Sequence, residues 1–135
     1  MSADIFRRVD HVEIVPRDAT RSIDFYTGVL GFSLAQRVPV KMPPLREVSY
    51  LRLGDTVIEI LDVEAPEAKS SSAWPIGFRA LALEVGDMDE ALRHLREHGV
   101  TISIEPVDLG DSLRGEILDP DGLTIEIRQW KQRAW

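Results

Sequence analysis

One order of elements runs through this chain twice, and a chain built that way must fold as two copies of a small unit. In TVIEIL (56–61) and LTIEIR (123–128) a glutamate interrupts an aliphatic run. Glu59 and Glu126 lie 67 residues apart (126 − 59), and Gly31 and Gly99, each closing a helix-like stretch, lie 68 apart (99 − 31). An offset this constant, near half of 135 residues, marks an internal duplication.

The elements can be read in sequence. VDHVEIV (9–15) alternates apolar and polar residues as a strand does, and the period then changes. Ala19, Ile23, Tyr26 and Leu30 fall at helical spacing, with Asp18 placed to cap the start and Gly31 the end. Three strand-like runs follow: FSLAQRV, EVSYLRL and TVIEILD. After VEAPEAKSSSAWPIG (63–77), a linker by its composition, FRALALEV restarts the order. Asp87 and Glu90 form a capping box for a helix with Met88, Ala91, Leu92 and Leu95 on its apolar face. VTISI, LRGEIL and LTIEIRQW complete the copy. The reading is a single α+β domain, 1–135, made of two tandem βαβββ modules at about 7–62 and 78–130, joined by linker 63–77. VPVKMPPLRE (38–47) reads as a stiff loop, either a lid or rim or an ordinary connection.

Composition narrows the function classes. A formal charge of −7 disfavours a nucleic-acid partner, because phosphate contacts need clustered Lys and Arg. The absence of cysteine excludes thiolate metal sites and cysteine nucleophiles and fits a reducing compartment. The opening residues MSADIFRRVDHVEIV carry no apolar stretch of signal-peptide length, and no segment approaches a membrane span. The expectation is a cytoplasmic protein without a membrane partner.

Strand alternation sorts the faces. Ile58 and Ile60, like Ile125 and Ile127, are expected to meet the helix of their own module, as are Val12 and Ile14. His11, Glu13, Glu59, Glu126 and Arg128 then point away from the helices. If the two small sheets curl, these second faces line a cup; the alternative is that they face water. His11, Glu59 and Glu126, an imidazole and two carboxylates from three strands, suit a divalent transition ion such as Mn, Fe, Co, Ni or Zn. A solvated sheet face explains the same residues. His94 and His98, spaced i and i+4, are read as a solvated helix face, and Trp130 and Trp135 as packing on a partner subunit or fraying.

VDHVEIVPRDATRSIDFYTGVLGF, ALEVGDMDEALRHLREHGV and GEILDPDGLTIEI together resemble the two halves of the vicinal oxygen chelate superfamily, which includes glyoxalase I, methylmalonyl-CoA epimerase, extradiol dioxygenases and the fosfomycin and bleomycin resistance proteins. The resemblance implies a cupped mixed sheet around a divalent metal, with ligand positions at His11, Glu59, Ala80 and Glu126. Three match, and Ala80 cannot coordinate. The resemblance further implies a glyoxalase- or epimerase-like lyase or isomerase acting on a small oxygen-rich carbonyl substrate, with Glu126 both ligand and proton carrier, and with Glu13 and Arg128 touching substrate. The missing ligand leaves a second implication open, a metal-free small-molecule-binding protein of the bleomycin-resistance type. Either way the resemblance implies a homodimer.

Overall fold

In the computed structural model, residues 5–133 and 135 are described. Residues 1–4 of the stretch read for a signal peptide, and Ala134 in the terminal KQRAW, lie outside the described residues. The chain divides into two compact units, Met1–Glu67 and Ala68–Trp135, with the division inside the expected linker. Among the described residues no helix is long and apolar enough to cross a membrane.

The first unit runs β1 (Val12–Ile14), α1 (Ala19–Gly28), β2 (Ser33–Met42), β3 (Leu45–Leu53) and β4 (Thr56–Val63). Its four strands lie in the order β1-β4-β3-β2, with β1 parallel to β4 and the other pairs antiparallel. The second unit runs β5 (Leu81–Glu84), α2 (Met88–Glu97), β6 (Ile102–Asp108), β7 (Ser112–Leu118) and β8 (Thr124–Trp130), in the same order, β5-β8-β7-β6. The duplication extends to the register. Val12 pairs with Ile58 in one unit and Leu81 with Ile125 in the other, so each first strand docks on its last strand at the same step.

The helices start where the sequence predicts. Asp18 accepts the amide of Arg21 at 3.1 Å, and Asp87 that of Glu90 at 3.0 Å, each satisfying an otherwise unpaired helix donor. The chain leaves both helices through glycines of positive φ, Gly31 at +85° and Gly99 at +68°. Tyr26 and Ile23 from α1 are buried, as are Leu51, Ile58 and Ile60 of β3 and β4. In the second unit Met88, Leu92 and Leu95 are buried with Ile117, Ile125 and Ile127. Gln129 of β8 accepts the Met88 amide at 2.7 Å and ties the start of α2 to the sheet.

Three expectations change. VPVKMPPLRE is a strand hairpin and not a loop: Val38 pairs with Val48, Pro39 with Glu47 and Met42 with Leu45, with only Pro43 and Pro44 between the strands. Proline within β2 is tolerated because β2 is the edge strand, where a missing N–H costs no ladder bond. β1 covers three residues of the seven expected, and Val12 remains 43% exposed while Ile14 is buried. Phe78, expected to open β5, precedes it and is fully exposed.

Candidate functional site

In the first unit, period-two alternation puts His11 and Glu13 on one side of the chain, and the parallel pairing sets Glu13 opposite Glu59. The three side chains converge. His11 Nε2 lies 2.8 Å from Glu59 Oε2 and 3.0 Å from Glu13 Oε2, while its Nδ1 lies 2.8 Å from Asp10 Oδ2. Glu59 is buried, 7% exposed, in the middle of an apolar strand.

These contacts set the proton affinities. Hydrogen bonds to Asp10 and Glu13, helped by the charge of Glu59, push the His11 imidazole up to about 9 against the opposing pull of burial. Burial raises Glu59 as well, the His11 charge opposing it and the carboxylates of Glu13 and Asp10 adding to it. A buried carboxylate held against an imidazole, with a second carboxylate beside it, has the donor set that could hold a cation. One ligand atom each from His11, Glu13 and Glu59 lies within 4.8 Å of the others, which fits a divalent ion bound through nitrogen and oxygen. Asp10, on the far ring nitrogen, stands where a carboxylate fixes the tautomer of a ligating histidine.

Glu126 lies in the second unit, and its surroundings differ. It pairs in register with Ala82 on β5 and Glu116 on β7. Arg114 reaches its Oε1 through Nε at 2.9 Å and Nη2 at 2.5 Å, and Arg128 reaches its Oε2 at 3.1 Å. Arg114 Nη2 also meets Glu116 Oε2 at 2.5 Å, and Arg79 holds that same oxygen at 2.8 Å. Glu116 is 6% exposed, and the guanidinium groups of Arg79 first, then Arg114, hold its carboxyl below the usual range despite burial. Ala80, the register counterpart of His11, contributes no donor atom.

The structure therefore brings His11, Glu13 and Glu59 together in one unit and Glu126 with Arg128 in the other. His94 on α2 and His98, the residue that caps its end, both lie exposed, with His98 Nδ1 2.9 Å from the His94 carbonyl. Trp130 and Trp135 meet edge to face at 5.6 Å. Sequence reasoning missed Asp10, Arg79, Arg114 and Glu116. Arg114 and Glu116 were within reach, since LRGEIL alternates them onto one side of β7, beside Glu126.

The model of the Glyoxalase/Bleomycin resistance protein/Dioxygenase superfamily matches residues 8–127. Similar proteins include the uncharacterized protein YaeR of Escherichia coli, 32% identical over 122 residues that make up 90% of this chain and 95% of that one. A lactoylglutathione lyase of Shigella flexneri is 29% identical over 92% of this chain and 93% of its own. A glyoxalase family protein from Enterococcus faecalis, known from its crystal structure, is 26% identical with a TM-score of 0.79, over 91% of this chain and 98% of the other.

Proposed function

This chain belongs to the Glyoxalase/Bleomycin resistance protein/Dioxygenase superfamily, and from that premise we propose that it is a metal-dependent lyase or isomerase that moves a proton on a small oxygen-rich carbonyl substrate. The observation that carries this reading is the convergence of His11, Glu13 and Glu59. A buried glutamate in an aliphatic strand is costly unless something positive accompanies it. In this proposal His11 and Glu59 hold the ion, with Glu13 supplying a further carboxylate oxygen. A divalent ion there would polarise a substrate oxygen as a Lewis acid. Glu126, its carboxylate oriented by Arg114 and Arg128, carries the proton to and from the carbon next to the carbonyl. The lyase among the relatives supports this reaction class. We place the protein in the cytoplasm as a homodimer.

A second reading has its own observation. Ala80 supplies no ligand, and both oxygens of Glu126 are engaged by guanidinium groups, which favours a protein that binds a small molecule without metal. The two readings separate in deuterated water. The metal-loaded protein is incubated with hemithioacetals of 2-oxoaldehydes and with 2-methyl-branched acyl thioesters, and carbon-bound deuterium is measured. Deuterium incorporation that disappears in Glu126→Gln supports the enzyme. Absence of exchange with every substrate, together with ligand binding that survives Glu126→Gln, contradicts it.

A further inference from the structure

The sheet face of the second unit that carries Glu126 has more positive than negative charge. Arg79, Arg114 and Arg128 meet there with Glu116 and Glu126 in one continuous network, three cations against two anions. Glu84, which pairs in register with Arg128, does not close the gap, because Arg133 accompanies it at 3.5 Å. The side chains of Arg114 and Arg128 are only 22% and 21% exposed. A partly buried charge without a counter-charge is costly, and this surplus sits in a chain whose net charge is −7.

The fold does not require these charges. Where Arg114 faces Arg128 across β7 and β8, the first unit has Val48 facing Leu61, and where Glu116 faces Glu126 it has Tyr50 facing Glu59. At these four positions one unit thus has Val, Leu and Tyr beside a single glutamate, and the other has two guanidinium groups beside two glutamates. Arg128 is the least satisfied of them. Its Nη1 meets the neutral Ser112 hydroxyl at 3.2 Å, its buried Nε has no partner among the described residues, and its guanidinium stacks 5.0 Å from the Trp130 ring centroid. The two glutamates and the tryptophan hold the forks in place before any ligand arrives, which lowers the entropic cost of binding.

We propose that this face of the second unit is an anion-binding site, centred on Arg128 and Arg114, that takes the carboxylate or phosphate group of a small molecule. The planar guanidinium fork matches both groups in bidentate geometry. Joined to the reading above, on which this step alone rests, it makes the substrate an organic acid or a phosphate ester that also bears a carbonyl. The anion site itself requires no metal.

The test uses chelator-treated and then desalted full-length protein, so that it is independent of any metal. Arginine Nε–Hε resonances are followed by NMR while inorganic phosphate and, separately, malonate are added at constant ionic strength. The Arg128 resonance is expected to shift saturably with at least one probe, and the probe that binds more tightly tells phosphate ester from carboxylic acid. Arg128→Lys, which keeps the charge but loses the fork, is expected to weaken binding about tenfold. Arg96→Gln, whose salt bridge to Glu105 lies outside the network, leaves it unchanged. Linear, unsaturable shifts with both probes, or equal binding by wild type and Arg128→Lys, would overturn the proposal. Metal uptake measured on the same preparation reports separately on the His11 cluster, so the two readings fail independently.

Discussion

His11 Nε2 and Glu59 Oε2 are 2.8 Å apart, joined across the parallel pairing of the first and fourth strands. That pairing also brings Glu13 to the same imidazole nitrogen, while Asp10 takes the other. A single imidazole is thereby surrounded by three carboxylates, and the first consequences to test follow from this arrangement.

Asp10 orients the ring and does not belong to the group of three that would hold an ion. Asp10→Asn should therefore leave the fold intact and lower divalent-metal affinity by about 10- to 100-fold, the usual effect of removing a carboxylate behind a ligating histidine. Titration calorimetry with Zn and Ni checks this.

Without metal, His11 should titrate at about 9, well above the 6.5 of an ordinary histidine. Its folded-state affinity for the proton is raised, so the stability it adds is fully present below pH 6.5 and is lost as pH rises through about 9. Imidazole proton shifts read the titration directly, and His11→Ala should remove that part of the alkaline loss of stability. Metal must displace this proton, so loading at neutral pH should acidify a weakly buffered solution.

Glu116 responds in the opposite direction. Its carboxyl is held below the ordinary 4.5 by Arg79 and Arg114, so its contribution is present above pH 4.5 and is lost as pH falls through the depressed folded value. Glu116→Gln leaves Arg114 with one carboxylate fewer in a partly buried setting. Loss of one partner from such a pair costs about 3 kcal/mol. Urea denaturation at pH 7 should record that loss, with a smaller difference from wild type in acid.

Leu51 on β3 is fully buried within the first unit. Leu51→Ala should destabilise the protein by about 3 kcal/mol through lost transfer energy and the residual cavity, read as a lower denaturation midpoint at unchanged slope.

The order of elements was legible because the duplication tests each assignment against its copy. Asp18 and Asp87, placed at equivalent points, both cap helices. The hairpin through Pro43 and Pro44 was not legible, because its prolines read as loop unless β2 is known to be an edge strand, and strand order is a tertiary fact. Two of the three members of the first unit's cluster were visible as His11 and Glu59 at matching alternation. Glu13 was assigned to substrate contact because only the register shows it opposite Glu59. The arginine network escaped for a related reason. Its β7 members, Arg114 and Glu116, do alternate beside Glu126 and Arg128, but the salt bridge from Arg79 to Glu116, 37 residues apart, leaves no local periodicity to detect.

The central claim is that the His11 cluster holds a divalent metal, and elemental mass spectrometry of tag-free protein tests it most directly. The protein is assayed as purified and again after chelation and reloading with Mn, Fe, Co, Ni or Zn, for wild type, His11→Ala and Glu59→Ala. The account predicts about one equivalent of metal per chain in the wild type and almost none in either variant. No uptake of any of these ions by the wild type, or equal uptake by all three proteins, would contradict it.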